Sequence, residues 1–552
     1  MKVNRLAAAL ASLLLCSAPA FAAPPPDSGS SASNKPHAAE SETLIQRLMK
    51  PLSSVTHGSV TVEGKTINYE AVAGTLVIHG TGNDETTPQA AMGYFAYFKQ
   101  GADPSKRPIT FIYNGGPGSS TIWLHMGAWG PKRVVTNDHS QTPAAPYKLV
   151  NNEYSLLDAS DLVFIDMPGT GFGRLLPQGK NKAARTKDRK KLGKKIWGVD
   201  GDAQAFSRFI TQFLSKYGRW NSPKYLYGES YGTTRSAVLA AILEMRDNVD
   251  LNGVVLQSQI LNFNTSIDGP AADPGVNLPY ILALPTYAAT AWYHHKLPKY
   301  DSGKLGPLLK RAIEFAKTEY RDALFSGSTL SATRKHSVAE KMHDFTGLPV
   351  AYLMRADLRV SGGMFSHELQ ISTDTATGRY DTRFSAPLMD PMAKSGFFDP
   401  QSRAINSAYV AAFNTYARKD LKFGGTMTYR TMIYRLPGFD WDMKHHALGS
   451  PRTFVGTRTL NVMGDLATAM KYNPDLKVMM NGGFYDLATP FYAATYELEQ
   501  LPIPQRLDKN ITYAFYPSGH MLYAHLPSLH RLHDNVAEFI ESTDNQDGQD
   551  SK

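Results

Sequence analysis

The sequence predicts an α/β fold in which a mainly parallel sheet carries helices on both faces. Two observations point there. Short apolar runs recur along the chain: Ile109–Tyr113, Asp161–Asp166, Tyr225–Tyr227, Gly253–Leu256, Lys477–Met480 and Thr512–Phe515. Between them lie longer stretches with apolar residues at helical spacing. Buried strands alternating with helices are the signature of a parallel sheet covered on both sides.

In chain order, Val60–Val62 and Ile67–Ala71 flank Glu63-Gly64-Lys65 and read as a hairpin, with a further strand at Thr75–His79. Ile109–Tyr113 is a buried strand leading into a glycine-rich loop. Ala203–Leu214 places Ala203, Phe206, Phe209, Ile210, Phe213 and Leu214 on one helical face. The strand Tyr225–Tyr227 precedes an Ala/Leu-rich helix, Thr233–Met245. The stretch 264–456 lacks short β-branched strands and interrupts the alternation. We read it as a mostly helical cap over the C-terminal edge of the sheet, where open α/β sheets place their sites. The core is thus expected in two parts, 46–263 and 457–541.

The ends are read differently. Residues 1–22 combine Lys2 and Arg5 with the apolar run Leu6–Leu15 and the small-x-small site Ala20-Phe21-Ala22, which predicts an export signal. Residues 23–45 and 542–552 are expected to be disordered. No later run approaches about eighteen apolar residues, so no transmembrane segment is expected. Cys16, the only cysteine, lies inside the signal. That excludes disulfides, thiolate catalysis and Cys-ligated zinc from the mature chain. A cysteine-free exported protein fits a bacterial periplasm or exterior.

The formal charge of +9 is local. Lys180 to Lys195 holds nine basic residues and one acid, and the rest of the mature chain is near −1. A solvated loop is the plain reading, and contact with an anionic envelope surface the sharper one. No aromatic residue is interleaved, so nucleic-acid binding is not expected.

The chemistry lies in loops that follow strands. Tyr227-Gly228-Glu229-Ser230-Tyr231-Gly232 contains G-x-S-x-G between a strand and a helix. Such a sharp turn exposes a serine as nucleophile, as in the α/β-hydrolase fold. A tetrahedral intermediate also needs N–H donors for its oxyanion. Tyr231 is one candidate; Gly115 or Gly116, in Asn114-Gly115-Gly116-Pro117-Gly118, is the other. A P-loop or dinucleotide pattern is absent from that loop. In the chain order Ser, Asp, His, the acid is Asp486 and the base His520, each after a late strand. Asp508 and Asp534 are rival acids, but one precedes its strand and the other sits in a helical stretch. Asp440–His446 and His367-Glu368 mimic metal motifs without complete ligand spacing, so they are read as structural and no metal is expected.

Together these motifs resemble the serine carboxypeptidase family (peptidase family S10). The residues concerned are Tyr113–Ser120, Ile165–Phe172, Gly228-Glu229-Ser230-Tyr231, Asp486 and Gly519-His520-Met521. The resemblance implies Ser230 as nucleophile, His520 as general acid–base and Asp486 as its orienter. It implies Gly116 and Tyr231 as oxyanion donors. It also implies that Asn114 and Glu229, with Gly115, hold the substrate's terminal carboxylate. The activity implied is release of C-terminal residues from peptides, without a cofactor. An esterase or acyltransferase would use the same triad, and an inactive binding protein would keep only the fold. Departures are Ser119 where a cysteine commonly stands, Tyr113 before Asn114, and Leu522-Tyr523 after Met521. Neither the oligomeric state nor the preferred residue follows from the sequence.

Overall fold

The computed structural model describes residues 43–81, 84–300, 303–390, 392, 398–448 and 459–545. The expected export signal lies outside these residues. Among the described residues there are fourteen strands: β1 (Ser53–Val62), β2 (Lys65–His79), β3 (Pro88–Lys99), β4 (Ile109–Tyr113), β5 (Lys132–Val134), β6 (Leu149–Asn151), β7 (Asp161–Ile165), β8 (Arg174–Leu175), β9 (Lys224–Glu229), β10 (Gly253–Gln257), β11 (Thr375–Thr377), β12 (Ser385–Pro387), β13 (Lys477–Gly483) and β14 (Ile511–Tyr516). The main sheet runs β1-β2-β3-β7-β4-β9-β10-β13-β14, with β8 beside β3. Every pair from β7 to β14 along that order is parallel, whereas β1, β2 and β3 are joined antiparallel to one another and to β7. This is an α/β-hydrolase sheet.

Side chains of the central strands alternate between two cores, as the pleat requires. Phe111, Tyr113, Leu226, Val254 and Leu256 face one side, packed with Phe206, Phe209 and Phe213 of α2 (Val199–Lys216), Leu239 of α3 (Tyr231–Met245) and Leu466 of α6 (Met463–Tyr472). Ile112, Tyr225, Tyr227 and Val255 face the other, against Phe413 of α5 (Pro400–Lys419) and Leu532 and Val536 of α7 (Leu526–Glu541). Strands apolar on both faces have only one stable place, the middle of a covered sheet. Their C-terminal ends, with the loops that follow, are therefore held from both sides.

Several expectations need correction. The hairpin and separate strand near the start are one long ribbon, because β2 runs unbroken through Gly74 and pairs with β1 and β3 along its length. Strand β3 carries no clear alternation in sequence, because Ala90, Ala91, Met92, Tyr94 and Phe95 are buried on both faces. Residues 43–45 do not belong to a disordered linker: 43–48 are helical, and Ile45 and Leu48 pack with Val77, Ala91 and Leu176. At the other end Thr543 is fixed by Tyr225 (2.9 Å) and Asn252 (3.0 Å); 546–552 lie outside the described residues. The basic stretch is a helix, α1 (Lys182–Ile196), not a loop. Asn181 caps it through Ala184 N–H, and Leu192, Gly193 and Ile196 bury its last turns.

The stretch between β10 and β13 contains α4 (Leu278–Tyr293), shorter helices between residues 305 and 368, and α5. It also contains a small antiparallel pair, β11 with β12, which the sequence reading lacked. Three-residue strands are too short to show a period. The chain enters and leaves this stretch side by side, since Phe263 N–H donates to Leu460 O and Val462 N–H to Leu261 O.

Candidate active site

Ser230 stands at the turn from β9 into α3 with φ 61° and ψ −130°. A non-glycine residue is held there only when its surroundings demand it. Ser230 N–H is tied to Gln257 O at 3.0 Å, and Gly228 passes so close to Gly232 that a Cβ would lie 2.3 Å from the Gly232 carbonyl. Gly228 is thus required by contact, not by flexibility. As the first residue of α3, Tyr231 has no intrahelical acceptor for its N–H.

The loop after β4 meets this turn. A Cβ on Gly115 would fall 2.4 Å from Tyr231 N, so only glycine lets the two backbones touch. Gly116 follows with φ 110°. The N–H groups of Gly116 and Tyr231 therefore belong to two adjoining backbone segments.

Asp486 follows β13 and His520 follows β14. Their side chains join at 2.8 Å, Nδ1 to Oδ2, with both groups buried. Asp486 Oδ1 also accepts from Ala488 and Thr489 N–H, and Thr489 Oγ1 donates to Oδ2 at 2.7 Å while lying 3.2 Å from His520 Nδ1. The far side of His520 is fixed by its backbone: its N–H donates to Tyr380 O and its carbonyl accepts from Ser258 Oγ at 2.7 Å. Burial disfavours the imidazolium, but Asp486 and then Glu229 outweigh it, so the His520 pKa is raised.

Glu229 is almost fully buried. Asn114 Nδ2 donates to Oε1 and Gln257 Nε2 to Oε2, each at 2.9 Å. Asn114 is itself held by Leu124 N–H on its Oδ1 (3.1 Å). Burial pushes the Glu229 carboxyl up to about 7, against the opposing pull of His520 and of hydrogen bonds that include Asn114.

Ser230, His520, Glu229, Asn114, Gly115 and Gly116 open into one cleft, with Trp123, Tyr380, Met432 and Met521 on its walls. Asp486 stands behind His520. Tyr231 backs the cleft with its ring against Trp441 (5.2 Å). Among the described residues, His520 is not hydrogen-bonded to the Ser230 hydroxyl; such bonds commonly tighten only around substrate. Among the described residues, the walls of the cleft carry no lysine or arginine. The arrangement suits acyl transfer at a carbonyl.

Sequence reasoning missed Thr489, Gln257, Tyr380 and Arg235. Gln257 ends a buried strand beside the elbow, which is a readable signal. Tyr380, whose ring lies 5.1 Å from that of His520, comes from the interrupting stretch and has no such signal. In the stretch 440–446, both ring nitrogens of His445 are engaged by carboxylates, Asp200 (2.5 Å) and Asp465 (2.9 Å).

Residues 79–277 match the serine carboxypeptidase family model, a span that includes the loop after β4 and the elbow but ends before Asp486 and His520. Serine carboxypeptidase-like 34 of Arabidopsis thaliana is 25% identical over 185 residues, 32% of this chain and 33% of that protein. Serine carboxypeptidase-like 33 of the same plant is 27% identical over 228 residues, 40% and 41% respectively. The carboxypeptidase Y homolog of Arthroderma benhamiae is 27% identical over 185 residues, 33% and 31%. The chain thus spans about a third to two-fifths of these relatives' length. Among solved structures, proline iminopeptidase of Mycobacterium smegmatis aligns over 89% of this chain and 99% of its own, at 11% identity and a TM-score of 0.32.

Proposed function

We propose that this chain, whose residues 79–277 match the serine carboxypeptidase family model, is a serine-type carboxypeptidase acting on peptides with a free C-terminus. In this reading Ser230 Oγ attacks the last peptide carbonyl while His520 Nε2 takes its proton. Gly116 and Tyr231 N–H groups receive the oxyanion. Collapse breaks the C–N bond, and His520 returns the proton to the leaving amine. Water then attacks the acyl-enzyme with the same base, freeing the shortened peptide and Ser230. Asp486 keeps the imidazole in the tautomer that exposes Nε2.

The observation that carries the exopeptidase reading is the Asn114–Glu229 hydrogen bond in the wall of the Ser230 cleft. A carboxyl group with a pKa of about 7 can stay protonated beside an incoming carboxylate and donate to it. A plain esterase has no need for a buried acid there. The stretch 264–456 is read as a cap that supplies Tyr380 and Met432 to the cleft, and the chain as exported.

The experiment compares a peptide with its C-terminal amide and a matching ester, after labelling with a fluorophosphonate probe. Label that is lost in Ser230→Ala identifies the nucleophile, and failure to label supports the inactive binding protein. Preference for the free-carboxylate peptide supports the carboxypeptidase. Equal rates on all three, or faster transfer to an added amine, favour the esterase or acyltransferase.

A further inference from the structure

The basic helix α1 is built against its own stability. Lys182 and Arg185 sit in its first turns, where the helix dipole already places positive charge. Lys187 with Lys191, Lys190 with Lys194, and Lys191 with Lys195 are like-charge pairs at i,i+4, each unfavourable. Its only apolar anchorage is one edge, Leu192, Gly193 and Ile196, continued by Trp197, whose Nε1–H donates to Pro168 O at 2.9 Å.

At 100° per residue, Lys187, Lys190, Lys191, Lys194 and Lys195 occupy the arc opposite that buried edge. All five are exposed. Among the described residues, Lys195 alone of the five has an ion-pair partner, Asp84 at 3.5 Å. The helix lines no part of the cleft. Neither folding nor the proposed chemistry accounts for a lysine face about 12 Å long.

We propose that this face adsorbs the protein to an anionic lipid bilayer. The convex face consists of point-charge ammonium groups, not of arginine forks that fit one phosphate at a time. It carries no aromatic ring to stack on bases and no groove to follow a strand, which disfavours nucleic acid. It carries no apolar side chain to insert, so contact is electrostatic and stays at the headgroups. Several lysines in one plane meet a field of negative headgroups together, within reach of a Debye length of about 8–10 Å.

The test uses the full chain and two kinds of vesicle: phosphatidylcholine alone, and phosphatidylcholine with about 30% phosphatidylglycerol. Co-sedimentation is measured at about 0.05 M and about 0.5 M salt. One variant combines K187Q, K190Q, K191Q and K194Q. A control removes the same charge from exposed lysines elsewhere, K310Q, K317Q, K471Q and K509Q. Wild type and control should bind the anionic vesicles at low salt only, and the helix variant at least about tenfold more weakly. The proposal is overturned if wild type ignores the anionic vesicles, if both variants lose binding equally, or if duplex DNA is bound and the vesicles are not. Unfolding temperature should not fall in either variant, and rises slightly in the helix variant if relief of the like-charge pairs is felt; fluorophosphonate labelling should be unchanged in both, so the outcome does not depend on the hydrolase reading.

Discussion

The guanidinium of Arg235 donates to the main-chain carbonyl of Asn114 at 2.9 Å, tying the helix behind Ser230 to the loop that carries Gly116. Arg235 is wholly buried, paired with Asp202 at 2.6 Å and laid over Phe206 at 4.3 Å. Asn114 is thereby held at its backbone by Arg235 and at its side chain by Glu229 and Leu124. The two backbone segments that carry Gly116 and Tyr231 share one buried charge as their common fixture.

Arg235 should therefore act as a positioning residue. Arg235→Met alone strands the Asp202 carboxylate and should cost about 3–5 kcal/mol in denaturant unfolding. The double variant R235M/D202L removes both charges and should regain most of that stability. It should still lose about tenfold or more in kcat, with KM little changed, because a donor displaced from the developing oxyanion weakens only the transition state. A double variant with native kcat would show that the tie is structural alone.

In the proposed carboxypeptidase, Glu229 should set the pH dependence. Its carboxyl is raised to about 7, mainly by burial, so it is protonated below that pH and ionised above it. On a free-carboxylate peptide kcat/KM should fall as pH rises through about 7, approaching tenfold per unit. The matching amide lacks a carboxylate and should show no such fall; its rate should rise as His520 loses its proton. Glu229→Gln keeps a donor at every pH and should abolish the falling limb. It also removes a charge that raises the His520 pKa, so the rising limb for the amide should move to lower pH. Stopped assays from pH 4 to about pH 9 check both shifts.

How much of this was legible follows from where each residue stands. Ser230, Asp486 and His520 follow strands so apolar that the loops after them are marked in sequence, and Gly115 and Gly228 announce backbone contacts that a Cβ would forbid. Strand β3 was not legible, because a strand buried on both faces and rich in alanine has no period. Arg235 reads as one more polar residue in an Ala/Leu helix; its partner Asp202 lies on a neighbouring helix, and only packing joins them. Tyr380 reaches His520 from a stretch with no repeating pattern. The basic run was visible as charge but not as a helix, since its apolar edge is only Leu192, Gly193 and Ile196.

Thr489 should tune the acid without replacing it. Its hydroxyl donates to the same Asp486 oxygen that receives His520. Thr489→Val leaves that oxygen one donor short and should lower kcat about threefold to tenfold, with Thr489→Ser restoring it. Asp486→Asn should cost far more, on the order of ten-thousandfold, because the wrong tautomer of His520 is then favoured. Single-turnover acylation by an activated ester measures both. Equal losses in Thr489→Val and Asp486→Asn would mean that the threonine contributes more than a hydrogen bond.

His445 fastens the segment that backs the elbow. Trp441 packs edge-on against Tyr231, and four residues later His445 is gripped between Asp200 of α2 and Asp465 of α6. Burial opposes its charge, but the two carboxylates outweigh burial and raise its pKa to about 9. A histidine raised above its ordinary 6.5 contributes stability that is fully present below that value and is lost as pH rises through the raised pKa. At pH 6, His445→Gln should cost up to about 2–3 kcal/mol of unfolding free energy. The deficit should shrink between pH 6.5 and about 9, and what remains above that range reports packing. His446 is exposed and touches Asp200 at 3.3 Å, so His446→Gln should change stability little at any pH. Denaturant melts of the wild type and both variants across that range decide it: a His445→Gln deficit that does not vary with pH would mean the imidazole is held neutral, and the clasp is packing without charge.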